Sequence, residues 1–269
     1  MTDSPDIHAL FERTLTSSGD DEDDEAWAAV RELRLLGSRE VFDIAVQWLH
    51  DKDPLRRQRG ADVLAQMGVG RERRSAFPIE ARDALVVLLA RETEAEPIAS
   101  AIFALGHIGD LAGVAQTRRF AAHDRQLVRY AVAFALGSCA DDPANIAILM
   151  QLMRDEDEVV RDWATFSLGE RGDADSEEIR NALVERLGDS FFDARLEAIM
   201  GLAKRGDPRA LPALLEDLLH PDGETRGAVS AACRLLGLED APKEWRGADY
   251  AAALEKKFGS QALKESSPD

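Results

Sequence analysis

Residues 127–137 read LVRYAVAFALG, and the same pattern returns as VVRDWATFSLG at 159–169 and as PIASAIFALG at 97–106. Aligned on the position held by Arg129, the equivalents are Ala26, Arg57, Ile98, Arg129, Arg161, Arg195 and Arg226. The steps between them are 31, 41, 31, 32, 34 and 31 residues. A self-similar period of this length marks a stacked helical repeat, because one unit cannot bury its apolar face without a neighbour. Each unit has the same grammar: an aspartate, a helix carrying the arginine position, a glycine-containing turn, and a second apolar helix. The pairs Gly109-Asp110, Gly172-Asp173 and Gly206-Asp207 are expected to end the first helix with a C′ glycine and to cap the second with the aspartate. Second helices are predicted over 41–49, 79–90, 146–153, 179–187 and 211–219. The one long step comes from an insertion, GRERRSAFP at 70–78, which holds the basic cluster of the chain.

Composition agrees with an all-helical protein. Of 269 residues, 45% are hydrophobic and only 6% aromatic, with alanine and leucine prominent and β-branched runs short. Lys and Arg number 33 against 51 Asp and Glu, a net charge of −18. Phosphate backbones and anionic lipid repel such a chain, since binding to either rests on cationic contacts that release counterions. Nucleic acid and membrane are therefore excluded as expected partners. The two cysteines, Cys139 and Cys233, both lie in apolar helical patterns and read as buried free thiols. The acidic start MTDSPDIHALFER has no cationic stretch ahead of an apolar one, and the longest apolar run is Ala84–Ala90. Both features point to a cytoplasmic protein.

The organisation expected is a capping helix and acidic linker over 1–25, a repeat array over 26–240, a C-terminal cap helix over 241–259 and a disordered tail over 260–269. Ser4 is placed as the first N-cap, with Pro5 at the first helical position. Trp245, Tyr250, Leu254 and Phe258 are available to close the far end of the core.

The pattern D–x5–R–x2–A–x3–LG, seen at Asp155, Arg161, Ala164 and Leu168-Gly169 and followed by the Gly-Asp turn, resembles the HEAT repeat family. It resembles most closely the short-period HEAT-like repeats of the phycobilisome-lyase type. The resemblance spans about 26–237, and Ile98 and Ala26 depart from it at the arginine position. It implies an all-α, right-handed α-solenoid, a superhelix of about seven HEAT-like helix pairs with terminal capping helices. It is specific for fold and unspecific for activity.

Catalytic patterns are absent: no HExxH, CxxC, G-x-S-x-G or phosphate loop occurs, so no cofactor or metal is expected. His50, His123 and His220 share a repeat position at the end of a second helix, where a cation-capable side chain suits the terminal carbonyls. The recurrent arginines, Arg57, Arg129, Arg161, Arg195 and Arg226, are expected to pair with Asp51, Asp124, Asp155, Asp189 and Asp222 in a ladder that fixes repeat geometry. On a wheel of about 100° per residue, positions −1, 3, 6, 7 and 10 from the arginine (Val128, Val132, Ala135, Leu136, Cys139) form the core face. Positions 1, 5 and 8 point nearly the opposite way, onto the surface that is concave in HEAT architecture. Position 5 is Phe103, Phe134, Phe166 and Met200 in four consecutive units; position 1 adds Tyr130, Asp162 and Leu196; position 8 is small.

These residues read as an apolar groove for a partner peptide or helix, with the glycines making room. Tight packing of the same side chains between units is the competing reading. Arg31 and Asp62, at position 5 of the first two units, would make one end of the groove polar. Arg71, Arg73 and Arg74 of the insertion form a secondary basic patch. The expected function is a non-enzymatic protein-interaction scaffold or adaptor of unknown oligomeric state. The alternative is a bilin-lyase-like enzyme subunit or chromophore-protein chaperone, which bilin absorbance on co-expression would reveal.

Overall fold

Short polar caps followed by apolar runs dictate the local structure. Asp53 accepts the Leu55 amide at 2.9 Å ahead of Pro54, and Asp142 accepts the Ala144 and Asn145 amides ahead of Pro143. Both sites combine a satisfied N-terminal donor with a proline whose missing N–H costs nothing there. The structure is a computed structural model that describes residues 6–16, 25–68 and 76–265, with side chains as far as residue 259. The described elements are helical throughout, and they divide into two compact units, 1–139 and 140–269. No described helix is long and apolar enough to cross a membrane.

The first unit contains α1 (Ile7–Arg13), α2 (Glu25–Leu36), α3 (Arg39–Trp48), α4 (Pro54–Ala65), α5 (Pro78–Leu89), α6 (Ala95–Ile108), α7 (Leu111–Ala115) and α8 (Gln126–Leu136). The N-cap of α1 is Asp6, which accepts the Ala9 amide; Ser4, expected in that role, lies outside the described residues. First-position helices α4, α6 and α8 pack side by side, with α3 and α5 behind them. Leu33, Leu64, Ile102, Leu105, Val132 and Leu136 are buried between these layers. The core face read from the wheel is buried at Val128, Val132, Ala135 and Leu136, whereas Cys139 is only half-buried.

The second unit contains α9 (Pro143–Leu152), α10 (Glu158–Phe166), α11 (Glu177–Arg186), α12 (Phe192–Lys204), α13 (Leu211–Leu218), α14 (Arg226–Leu236) and α15 (Gly247–Glu265). Here α10, α12 and α14 form the front layer. Tyr250 and Leu254 of α15 join a core with Leu211, Leu214, Leu218 and Leu235, and Trp245 and Phe258 pack against it.

The arginine ladder forms, but with different acceptors. Arg57 and Arg161 donate to backbone carbonyls of the preceding turn (Asp51 and Lys52; Asp155 and Glu156), not to the aspartate side chains. Their remaining nitrogens reach forward to a carboxylate about one repeat later, Glu92 at 2.6 Å and Asp189 at 2.8 Å. One guanidinium thus ties two turns together, which its planar fork of donors permits. Arg195 instead lies over the Phe192 ring, and Arg226 is exposed.

Two turn expectations are corrected. Gly109 and Gly206 adopt positive φ and their aspartates cap the next helical turn, but Gly172 has φ −81° and Ser176, not Asp173, caps α11. A π-turn over Ser167–Arg171 widens the end of α10 and displaces the register. The repeat histidines also act differently. Nδ1 of His123 and of His220 accepts an amide of the following turn, from Arg125 and Asp222, so these rings cap donors rather than terminal carbonyls.

Candidate functional site

In the first unit, α6 and α8 lie side by side and bring Phe103 within 5.0 Å of Tyr130 and 5.3 Å of Phe134, measured between ring centres. His107, one turn beyond Phe103, meets the Phe134 ring at 4.9 Å. All of these contacts are edge-to-face, the favourable arrangement for aromatic quadrupoles. Phe103, Tyr130 and Phe134 are half-buried, so this cluster is neither a free-standing row nor a closed core.

Gly106 and Gly169, at position 8, do not make room for a guest. A Cβ on Gly106 would sit 2.8 Å from the Ala135 Cα and 2.9 Å from the Phe134 ring, so the space is filled by α8 itself. Likewise Gly169 of the π-turn and Gly201 let that turn and α12 touch, a Cβ on Gly201 falling 2.8 Å from the Gly169 Cα. The glycines therefore serve helix approach, and Phe134 rests partly on the preceding repeat. The polar end of the groove is corrected too. Asp62 is 6% exposed and bound to Arg59 at 3.1 Å, while Arg59 also donates to the Thr14 carbonyl and lies over the Trp27 ring. That pair belongs to the interior. Arg71, Arg73 and Arg74 lie outside the described residues; among those described, the Ala76 amide donates to the Met67 carbonyl at 2.7 Å.

In the second unit the predicted residues are Asp162 and Phe166 on α10 and Leu196 and Met200 on α12, all half-buried. Leu196 packs onto Gly227 of α14, where a Cβ would meet its side chain at 2.8 Å, and Met200 lies against the core next to α15. Trp163 meets Phe166 at 5.6 Å. Three charged groups that the wheel did not single out share this face: Glu170, Glu197 and Arg234. Arg234 donates two bonds to the Glu170 carboxylate, at 2.5 and 2.9 Å. Glu197 has no such partner, and its Oε2 is buried without a hydrogen bond.

The electrostatics follow from that geometry. Burial, assisted by the charge of Asp162, pushes Glu197 up to about 7. Burial, assisted by Asp193 and Asp189, raises Asp162 to about 6. Two carboxyls that titrate near neutrality on one face are a recognised mark of functional sites. Among the described residues, no group of three or more His, Cys, Asp or Glu is placed to hold a metal ion. An open-sided hollow of about 400 Å³ lies elsewhere, between α3 and α5, lined by Phe42, Val46 and Ala84 with Arg39, Asp43, Glu80 and Asp83 at its rim.

A family model described as HEAT repeats matches residues 82–169 and 146–234. Protein YibA of Escherichia coli strain K12 is 29% identical over 204 residues, which is 71% of this chain and 68% of YibA. The X-ray structure of the E. coli YibA protein superposes with a TM-score of 0.65 at 23% identity, covering 98% of each chain. The complex of CpcE and CpcF of phycocyanin lyase from Nostoc is a more distant match, with a TM-score of 0.48 at 16% identity, covering 98% of this chain and 97% of that one.

Proposed function

The chain belongs to the HEAT repeat family, and we propose that it is a protein-interaction scaffold or adaptor that binds a partner peptide or helix on the face of its first-position helices. The observation that carries the proposal is the half-buried aromatic cluster of Phe103, Tyr130 and Phe134 in the first unit. Aromatic side chains of this kind present large contact area with little rotamer entropy to lose, which is why they anchor interfaces. They sit on rigid helices, so the contact surface is formed before the partner arrives. The second unit carries Phe166 and Trp163 on its own first-position helix, in a more acidic setting. A net charge of −18 favours partners with basic segments and steers them in.

The test is selection of binders from a displayed random dodecapeptide library on the full chain, followed by titration of the enriched peptides. Phe103→Glu and Phe134→Glu are expected to weaken binding at least about tenfold, the effect of losing one interface anchor. Phe192→Glu, at an exposed phenylalanine of the second unit, serves as the control. Equal affinities for all four proteins would defeat the proposal.

A further inference from the structure

In the second unit, the turn between α9 and α10 meets the turn between α11 and α12 at an open-sided hollow of about 340 Å³. Arg161, Arg186, Gly188 and Ser190 are on its wall. The two guanidinium groups converge on one carboxylate: Asp189 Oδ2 accepts Arg161 Nε at 2.8 Å and Arg186 Nη1 at 3.0 Å. Asp189 Oδ1 accepts Arg161 Nη2 at 2.9 Å and the Phe191 amide at 3.0 Å. Each oxygen thus holds two donors, and the Asp189 side chain is only 2% exposed. The other acids of the wall are also turned to protein donors. Glu185 is held at both oxygens by Arg154, at 2.8 Å each, and Asp155 accepts the Asp157 amide at 3.0 Å.

The donors are not used up in the same way. Among the described residues Arg186 donates a single hydrogen bond, the one to Asp189. Its Nε is sealed inside the protein, where no guest reaches it, but Nη2 is not sealed and has no acceptor. Ser190 is exposed, and neither its amide nor its hydroxyl has a hydrogen-bond partner among the described residues. Gly188 leaves the space beside them open, since a Cβ there would meet nothing within 4 Å. At the matching junction of the first unit, where Arg57 pairs with Glu92, the neighbouring Arg91 instead donates to the Leu49 carbonyl at 2.8 Å. The wall of this hollow therefore holds saturated acceptors and reachable, unsatisfied donors. In a chain of net charge −18 the long-range field repels anions, so such donors act on an acceptor only at short range.

We propose that this hollow binds a phosphate group, its oxygens taken by Nη2 of Arg186 and by the amide and hydroxyl of Ser190, with Asp189 holding Arg161 and Arg186 in place around it. A guanidinium fork matches phosphate oxygens, and bonds to an ionised acceptor are about twice as strong as neutral ones. The site lies on inter-helix turns, apart from the face of the first-position helices, and goes beyond the interaction reading. The same chemistry serves free inorganic phosphate and a phosphorylated side chain of a partner.

The test titrates the full chain with inorganic phosphate by calorimetry, with chloride holding the ionic strength constant. Saturable binding is expected with a dissociation constant of roughly 1 mM, the strength of about two charge-assisted bonds. Arg186→Gln is expected to weaken it at least about tenfold. Gly188→Glu fills the hollow with a carboxylate at a position whose Cβ is unopposed, and is expected to abolish saturation. Gln47→Glu, the same change of charge at an exposed residue of the first unit, leaves binding intact. Circular dichroism checks that each variant is folded. A second arm compares retention of random dodecapeptide pools with phosphoserine or serine fixed at the centre. A preference of about tenfold for the phosphoserine pool, lost in Gly188→Glu, assigns the site to a phosphorylated partner. Saturable phosphate binding with equal retention of the pools assigns it to free phosphate. No saturation together with equal pools, or binding indifferent to both Arg186→Gln and Gly188→Glu, overturns the inference. Either result leaves the interaction reading to its own test at Phe103 and Phe134.

Discussion

Replacing Glu197 with glutamine should stabilise the protein at neutral and alkaline pH and do progressively less as pH falls. Glu197 is raised from an ordinary 4.5 to about 7, chiefly by burial and next by the charge of Asp162. A carboxyl raised by folding is protonated in both states below its unfolded value, so nothing is lost there. The penalty grows as pH rises through the window between about 4.5 and about 7, and it is complete above that. At about 1.4 kcal/mol per pKa unit the full shift corresponds to roughly 3 kcal/mol, and the water that still reaches part of the side chain trims it to about 2 kcal/mol. Glutamine keeps the volume and discards the charge. At pH 8 the variant should therefore melt roughly 4–8 °C higher, at about 2–4 °C per kcal/mol for a chain of this size. At pH 5.5 less than half of that gain should remain. Circular dichroism melts of both proteins at the two pH values give the comparison directly. A variant no more stable than the parent at pH 8, or a gain of equal size at both pH values, would refute the reasoning.

Other substitutions probe the frame. Arg205, with 3% of its side chain exposed, donates to the carbonyls of Leu168, Gly169, Gly172 and Ala174 around the π-turn. Arg205→Met should cost about 3 kcal/mol in urea unfolding by leaving several of these acceptors unsatisfied, and Arg205→Lys should recover only part of it. Arg59→Met strands the buried Asp62 carboxylate and should cost about 3–5 kcal/mol at pH 7, with part of the loss returning in mild acid as Asp62 takes up a proton. Gly106→Ala places a methyl 2.8 Å from the Ala135 Cα and should destabilise by about 1–3 kcal/mol in the same assay.

The repeat period and the wheel carried most of the fold because both depend on local, periodic burial: Val128, Val132, Ala135 and Leu136 are buried as the 3.6-residue spacing requires. Position 5 was harder to read. Phe103, Phe134 and Phe166 are half-buried there while Met200 packs against the core, and what occupies the space at Gly106 depends on how closely α8 approaches. Helix spacing is a tertiary quantity with no signature in one repeat. Asp62 shows the same limit, because its neutralising partner, Arg59, is drawn inward by Thr14 of the N-terminal segment. Glu197 was legible in principle. It stands two places after Arg195, where other units place alanine, serine, tryptophan or an arginine paired with Asp62, so the acid is the exception that a comparison across units exposes.

The central claim, that the aromatic face of α6 and α8 contacts a partner, is tested most directly without altering the face at all. Ten phenylalanines are spread through the chain, so uniform 4-fluorophenylalanine labelling gives a ¹⁹F spectrum that reports on each part of it. On titration with a library-selected peptide, the Phe103 and Phe134 resonances should shift together and saturate at the binding stoichiometry, while that of Phe11, buried against Trp48, stays in place. Saturable binding that leaves Phe103 and Phe134 unmoved, with shifts confined to Phe120 or Phe192, would contradict the account.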